Sequence, residues 1–125
     1  MTRRIVSTDK IAPSVGPFAA AVWSGEFLFL SGQVALDPRT GKLIEGDVTA
    51  QTEQVFRNAG EVLAAAGKGF ADVVKANVFL TDMANFAAMN AVYGKHFDAP
   101  YPARTTIGVA ALPLGAAVEI EFLAR

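Results

Sequence analysis

Arg104 is the first side chain of the sequence that could carry chemistry. It stands in the segment Pro102-Ala103-Arg104-Thr105-Thr106, at the start of a β-prone run. A guanidinium is planar and presents paired N–H donors that match the two oxygens of a carboxylate. An arginine at a strand edge can also keep its charged head in water, because arginine is rarely buried without a partner. Arg104 is therefore a candidate carboxylate clamp, with a solvated edge residue as an equal alternative.

Glu119 is the second candidate, in the last β-prone segment of the chain. Glu119 and Glu121 alternate with Val118, Ile120 and Phe122, and a period of two puts both glutamates on one face of a strand. A carboxylate can hold and orient a water molecule for attack on an electron-poor carbon. The alternation alone favours a polar face in contact with solvent. Glu119 is therefore only a candidate for a water-orienting carboxylate.

The third candidate is the tripeptide Ser31-Gly32-Gln33, which follows the apolar run Phe27-Leu28-Phe29-Leu30. A hydroxyl group and an accessible backbone N–H at this point could bind a ligand. The same residues could equally close a strand. The spacing of these three candidates identifies no reaction by itself.

The remaining residue inventory excludes several kinds of enzyme and partner. The sequence has no cysteine, and its single histidine, His96, cannot form a histidine-rich metal site. It contains no GxSxG nucleophile elbow, no phosphate loop and no dinucleotide-binding fingerprint. The formal net charge is −1, and the lysines and arginines are scattered, which disfavours a dedicated nucleic-acid binder.

Neither export nor membrane insertion is expected. No apolar run approaches the roughly 18 residues that a spanning helix needs. The residues 1–6 include two arginines, but no apolar stretch of signal-peptide length follows them. We therefore expect a cytoplasmic protein.

Length and composition indicate one domain that associates with copies of itself. The chain has 125 residues, of which 52% are hydrophobic and 18% charged, whereas about 25% charged residues is usual in soluble domains. A small domain has much surface to cover, so the surplus apolar residues are expected at an interface. We predict a single domain over residues 1–125 and a homo-oligomer.

Apolar spacing predicts the order strand, strand, helix, strand, helix, strand, strand. The predicted strands cover 18–23, 26–31, 73–80, 105–110 and 118–123. The predicted helices begin at the N-caps Asp47 and Asp82 and end before Gly67 and Pro100. Each helix has one apolar face, which favours a single sheet with both helices on one side. A neighbouring subunit is the simplest cover for the other side.

Three local details of these elements can be tested directly. Ser24-Gly25 predicts a tight hairpin between the first two strands, and Asp37-Pro38-Arg39-Thr40-Gly41 predicts a second turn. Period two puts one set of strand residues on a single face: Val74, Ala76, Val78 and Leu80. Helical spacing gives the second helix an apolar stripe: Phe86, Met89, Tyr93 and Phe97.

The sequence resembles the Rid family of reactive intermediate deaminases, also called YjgF, over essentially its whole length. The resemblance is carried by short motifs in family order and at family-like spacing. These motifs are Gly16-Pro17-Phe18, Phe29-Leu30-Ser31-Gly32-Gln33, Asp37-Pro38-Arg39-Thr40-Gly41, Gly46-Asp47-Val48-Thr49-Ala50-Gln51-Thr52, Val78-Phe79-Leu80-Thr81-Asp82-Met83, Met89-Asn90-Ala91-Val92-Tyr93, Pro102-Ala103-Arg104 and Val118-Glu119-Ile120-Glu121. Each motif is weak alone, and their combination is highly specific.

This resemblance implies a chorismate-mutase-like α+β fold, with a mixed β-sheet and two helices packed on one face. It also implies assembly as a homotrimer, with three sites in the clefts between subunits. It implies hydrolysis of 2-imino acids, such as 2-iminopropanoate and 2-iminobutanoate, to 2-keto acids and ammonia. The expected partners are the small imino or keto acid and further copies of the chain. Neither a cofactor nor a metal ion is expected.

The family pattern also gives roles to individual residues of this sequence. By resemblance, Arg104 binds the substrate carboxylate and Glu119 positions the attacking water. Ser31 and the backbone of Gly32 line the pocket, and Asn90 supports it from the second helix.

Two positions depart from the usual family pattern. Phe18 stands where many members have tyrosine, which removes a hydroxyl group but keeps a pocket wall. Thr106 stands where a cysteine is common, and its hydroxyl group keeps a polar atom of similar size. Both departures bear on the range of substrates.

Three other activities are compatible with the same resemblance. One is endoribonuclease action, which the even distribution of charge disfavours. Another is a non-catalytic trimer that binds small molecules or acts like a chaperone. The third is processing of aminoacrylate-type intermediates in a different pathway.

Overall fold

The described residues, 2–125, form six strands and two α-helices. Met1, the first residue of the predicted domain, lies outside the described residues of this computed structural model. The strands are β1 (Arg4–Val6), β2 (Ala21–Ser24), β3 (Phe27–Leu30), β4 (Val73–Leu80), β5 (Ala103–Gly108) and β6 (Val118–Ala124). The helices are α1 (Val48–Ala65) and α2 (Phe86–Tyr93).

The strands form one mixed sheet in the order β1-β2-β3-β6-β4-β5. Neighbouring strands are antiparallel except β4 and β5, which are parallel and connected through α2. A parallel pair needs such a crossover because a tight turn can join only antiparallel strands. The predicted α+β architecture with two helices and a mixed sheet is confirmed, while the short edge strand β1 was not predicted.

The predicted hairpin is present, but its loop lies one residue later. Ser24 belongs to β2 and pairs with Phe27, so the two loop residues are Gly25 and Glu26. Gly25 has a φ of 57°, a left-handed conformation that glycine adopts without steric cost. The predicted turn at 37–41 is also present, with Gly41 N–H donating to Asp37 C=O at 2.8 Å.

Helix α1 begins and ends where its capping residues predict. The Asp47 side chain accepts a hydrogen bond from Ala50 N–H at 3.0 Å. At the other end Gly67 has a φ of 73°, and Lys68 N–H donates to Leu63 C=O at 2.8 Å. This is the Schellman arrangement, which supplies partners for the last helical carbonyls.

Strand β4 contains a bulge that changes one predicted face. The pairing with β6 shifts between Val73 and Lys75, so Val73 is buried and Val74 is 42% exposed. The prediction that Val74 shares a face with Ala76 is therefore wrong. An extra residue in one strand breaks the period of two locally, and sequence alternation alone cannot reveal it.

The predicted second helix is divided into a short turn and a shorter helix. The Asp82 carboxylate accepts from Ala84 N–H at 2.9 Å and so caps a 3₁₀ turn over Met83–Asn85. Helix α2 then ends at Tyr93 with Gly94 as its C-cap, not near Pro100 as predicted. Phe97 is still buried, but it reaches the core from the turn after the helix.

The two faces of the sheet have different surroundings. The face toward α1 and α2 carries the buried core residues, among them Leu28, Leu30, Ala76, Val78, Leu80, Val118, Ile120 and Phe122. The opposite face, called the outer face below, exposes Phe27, Phe29 and Ile107 by 39–50%. Neither helix of the described residues is long and apolar enough to cross a membrane.

Candidate functional site

Arg104 lies on the helix side of the edge strand β5, directly beside Ala76 of β4. Its Cζ atom lies 4.6 Å from the ring centroid of Tyr93 and 5.6 Å from that of Phe86. Stacking on aromatic faces leaves the in-plane N–H donors of a guanidinium available to a ligand. Over residues 2–125, no carboxylate lies within salt-bridge distance of Arg104.

Several buried polar atoms near Arg104 have no hydrogen-bond partner among the described residues. They are Asn90 Oδ1, Tyr93 Oη and Thr106 Oγ1. Asn90, Tyr93 and Arg104 line a cavity of about 310 Å³, together with Gly94, Tyr101 and Pro102; we call it the Arg104 pocket. Buried polar atoms usually have partners, so this pocket is suited to a small polar ligand. Burial raises the pKa of the Tyr93 phenol, and the charge of Arg104 acts in the opposite direction.

Glu119 lies on the outer face, where β6 pairs it with Phe79 of β4. It is half-buried, and burial raises the pKa of its carboxyl group; repulsion from Glu121 acts in the same direction. Glu121 accepts a hydrogen bond from Asn77 Nδ2 at 2.9 Å. The two glutamates share a face, as predicted. The raised pKa of Glu119 marks it as a candidate acid or base.

Gly32 leaves space for the Glu119 carboxyl group. A Cβ atom built on Gly32 would overlap the Glu119 carboxyl group, at 2.9 Å from Cδ. The chain is fixed on both sides of this contact. Gln33 exchanges two backbone hydrogen bonds with Ile120, and the Ser31 hydroxyl donates to Ala19 C=O at 2.6 Å.

Glu119 and Gly32 line a second cavity of about 290 Å³, with Phe18, Val15 and Leu114 among its apolar walls. We call it the Glu119 pocket. Phe18, the residue predicted as a pocket wall, is among the residues that line this cavity. Ser31 is not among the residues that line either pocket; its hydroxyl group fixes the adjoining loop.

The candidate residues thus form two groups in one chain. Arg104, Asn90 and Thr106 lie on the helix side of the sheet, whereas Gly32 and Glu119 lie with the outer face. A side chain cannot pass through a hydrogen-bonded sheet, so one chain does not bring the guanidinium and the carboxylate together. Chemistry that needs both groups needs two chains.

Sequence reasoning gave no site role to Phe86, Tyr93 or Leu114. Phe86 and Tyr93, interpreted only as a core stripe, hold the Arg104 guanidinium. The spacing of Phe86, Asn90 and Tyr93 at i, i+4 and i+7 could have placed all three on one helix face. Leu114 lines the Glu119 pocket, and no pattern in the sequence indicates it.

His96 belongs to the core and to neither pocket. Its ring stacks on Phe56 with centroids 4.1 Å apart and planes inclined by 4°. Burial lowers the pKa of this imidazole, so the neutral form is favoured. No group of three His, Cys, Asp or Glu side chains within the described chain could hold a metal ion.

The sequence matches one family model and is similar to proteins named as deaminases. The model of the family described as endoribonuclease L-PSP matches residues 9–125. The chain is 46% identical over 122 residues to the chloroplastic Reactive Intermediate Deaminase A of Arabidopsis thaliana, covering 98% of this chain and 65% of that protein. It is 44% identical over 124 residues to the 2-iminobutanoate/2-iminopropanoate deaminase of Capra hircus, covering 99% of this chain and 90% of that protein.

Solved structures with the same fold match along nearly the whole chain. RidA from an Antarctic Psychrobacter species matches with a TM-score of 0.94 at 46% identity, covering 98% of this chain and 99% of that one. E. coli TdcF with bound serine matches with a TM-score of 0.91 at 36% identity, covering 97% of both chains. The predicted resemblance is confirmed by these relatives.

Titration of Glu119 tests the electrostatics of its pocket. We expect the pKa of its carboxyl group, followed by carbon NMR, to exceed the ordinary glutamate value of about 4.3. Glu121→Gln should lower it, because a repulsive charge is removed while glutamine can still accept the hydrogen bond from Asn77. The pKa should remain above the ordinary value in this variant, since burial is the larger cause.

The exposed Glu45 provides the control for this titration. Glu45→Gln should leave the Glu119 pKa unchanged. A Glu119 pKa at or below the ordinary value in the unmodified protein would contradict the burial argument.

Proposed function

The chain belongs to the Rid family, whose model carries the description endoribonuclease L-PSP, and from this membership we propose that it hydrolyses 2-imino acids to 2-keto acids and ammonia. The proposed substrates include 2-iminopropanoate and 2-iminobutanoate. The observation that carries the proposal is the combination of a stacked, unpaired Arg104 guanidinium with a half-buried Glu119 of raised pKa. The direct test is release of ammonia and keto acid from imino acids generated in situ by an amino-acid oxidase.

Arg104 supplies the binding step. The carboxylate of an imino acid fits the two parallel N–H donors of a guanidinium, and the Arg104 pocket offers Asn90 and Tyr93 as further polar partners. TdcF with bound serine supports this step by analogy, since serine also carries a carboxylate beside a nitrogen-bearing carbon. Binding by the carboxylate fixes the direction in which the C=N bond points.

Glu119 supplies the chemical step. As a carboxylate it holds a water molecule, accepts a proton as the water oxygen bonds to the imine carbon, and returns it to the nitrogen. The hydroxyl group then passes its proton to the Glu119 carboxylate as the C–N bond breaks and the C=O bond forms, and the departing ammonia takes up that proton as ammonium. Because the pKa of Glu119 is raised, its carboxylate is a stronger base than an exposed glutamate. Turnover should fall as the pH drops through that pKa, since protonated Glu119 cannot accept the proton.

The proposed assembly is a homotrimer in which each site combines the Arg104 pocket of one subunit with the Glu119 pocket of its neighbour. Two features support it. Arg104 lies on the edge strand β5, where a neighbouring chain can reach it, and the outer face exposes Phe27, Phe29 and Ile107. Burial of these rings against a second chain would remove apolar surface from water.

The chemistry requires little more than these groups. A protonated imine carbon is already electrophilic, so positioning of the carboxylate and the water provides most of the rate. The proposed reaction therefore uses neither a metal ion nor an organic cofactor.

Substitution of Gly32 tests the position of the catalytic carboxylate. Gly32→Ala should displace the flexible end of Glu119 and lower turnover by on the order of 10²-fold, as a misplacement of about 1 Å can. The fold should persist, which circular dichroism checks. Gly69→Ala is the matched control, because a Cβ atom there meets nothing within 4 Å. Full turnover in Gly32→Ala would remove this contact from the mechanism.

Substitution of Arg104 tests the clamp. Arg104→Ala should lower kcat/KM by the equivalent of about 2–5 kcal/mol, the usual cost of removing one partner from a desolvated charge pair. Arg104→Lys should also be poor, because a point charge does not replace a bidentate fork. Steady-state kinetics measure both variants, with the exposed Arg57→Ala as the control. Activity of Arg104→Ala equal to that of the unmodified protein would exclude the clamp.

Mixing of inactive variants tests whether sites form between subunits. Arg104→Ala and Glu119→Gln chains should each be nearly inactive alone. If they are denatured and refolded together in equal amounts, every mixed trimer contains one intact site, and about a quarter of all sites should be restored. Light scattering of the mixture should give three times the 13.1 kDa chain mass.

The control mixture combines Arg104→Ala with Asn90→Ala. Both substitutions lie in the same pocket, so no arrangement of these chains rebuilds a complete Arg104 pocket. Recovery in the control, or failure of recovery in the test mixture, would contradict a site shared between neighbouring chains.

A further inference from the structure

The turn before β6 places a leucine in a conformation that leucine rarely adopts. Leu114 has a φ of 61° and a ψ of 19°, and Gly115 has a φ of 73°. Ala116 N–H donates to Pro113 C=O at 3.1 Å. Two successive positive φ angles inside this hydrogen bond define a type I′ turn, whose central residues are usually Asn-Gly, Asp-Gly or Gly-Gly. Gly115 occupies the second central position of this turn. Leu114 occupies the first, where a leucine side chain disfavours the positive φ.

The conformation of Leu114 is imposed by its surroundings. Just after the turn, Ala117 N–H donates to the buried side chain of Gln51 at 2.9 Å, and Ala117 C=O accepts from Thr81 N–H at 3.3 Å. These bonds fix the turn to α1 and to the end of β4. A strained residue persists where the structure around it over-determines the backbone. The backbone at Leu114 is therefore held in one place by contacts that do not involve the leucine side chain.

That place is the wall of the Glu119 pocket. Leu114 is 63% exposed in the single chain, yet it lines the cavity that contains Glu119 and Gly32. Val15 and Phe18, which are 93% and 55% exposed, line the same cavity. Large apolar side chains are thus presented around the carboxylate. Within residues 2–125, the cavity lining contains no lysine, arginine or histidine.

We propose that Leu114 is a specificity-determining residue that favours imino acids with uncharged, apolar side chains. This inference rests on the proposed imine hydrolysis and adds the substituent that the site accepts. An apolar substituent buried against Leu114 leaves water, and one methylene group in such a pocket changes specificity by about 10–200-fold. An anionic substituent would lose its hydration, meet no cation in the lining and approach the charge of Glu119.

The test compares imino acids generated by amino-acid oxidases from leucine, alanine and glutamate. For the unmodified protein, kcat/KM should be highest for the leucine-derived substrate and lowest for the glutamate-derived one. Leu114→Gly and Leu114→Asn suit a positive φ and should lower the leucine-to-alanine ratio of kcat/KM at least about tenfold. Leu114→Lys should raise the relative rate on the glutamate-derived substrate. Val74→Ala, an exposed apolar position that lines neither pocket, should leave all ratios unchanged.

Thermal unfolding separates specificity from a structural role. The glycine and asparagine variants should unfold at or above the temperature of the unmodified protein, because both relieve the turn. A lower unfolding temperature with all substrates slowed alike would overturn the proposal. If the protein hydrolyses the alanine-derived substrate but the Leu114 variants keep the unmodified leucine-to-alanine ratio of kcat/KM, this proposal alone would be overturned. If the unmodified protein hydrolyses no imino acid, the proposed function would be overturned as well.

Discussion

The pairing of strand β4 with both of its neighbours determines which candidate side chains can meet. Ala76 is the partner of Arg104 in β5 and of Phe122 in β6, whereas Phe79 is the partner of Glu119. Residues three apart in a strand point to opposite faces. A slip of one residue in either pairing would put the guanidinium and the carboxylate on one face. The observed register instead separates them, and the proposed reaction then depends on a second chain.

Helix α1 stabilises the Glu119 pocket through polar residues buried among its apolar ones. Gln51 accepts from Ala117 N–H, and Asn58 Nδ2 donates to Leu36 C=O at 3.0 Å. These two bonds anchor the chain segments on either side of the pocket, because Leu36 itself lines it and Ala117 follows the Leu114 turn. A buried amide that lost its partner would cost roughly 1–3 kcal/mol. The helix therefore positions the pocket walls and covers the sheet with the same face.

Features set by neighbours in sequence were predictable, and features set by distant strands were not. Local rules predict the N-cap of α1 at Asp47, the end of that helix before Gly67 and the alternation of β6. The structure has all three features. The exposure of Val74 depends on a bulge against β6. Helix α2 ends at Tyr93, and Phe97 packs in the core from the turn that follows. Asp82 indicated where a helical segment begins, but not that a 3₁₀ turn precedes α2.

The candidate site shows the same division between local and long-range information. The resemblance named Arg104 and Glu119 one by one, and their roles remain predictions. Their separation by the sheet follows from the β4–β5 register, which is parallel and joins residues about 28 positions apart. No short sequence pattern fixes such a pairing. Leu114 was missed for a similar reason, because long-range hydrogen bonds next to the turn accompany its positive φ.

The apolar walls of the Glu119 pocket connect basicity with selectivity. Burial is the main reason why the pKa of Glu119 is raised, and Phe18 and Leu114 are part of the apolar surface around it. The same surface removes water from an apolar substituent, so one feature serves both the proposed chemistry and the proposed choice of substrate. The surroundings of Arg104 differ from those of Glu119. Stacking on Tyr93 covers one face of the guanidinium and leaves its N–H edge available to a carboxylate. In the proposed reaction, charge binding and apolar selection thus lie in separate pockets, and a substrate must reach both to react.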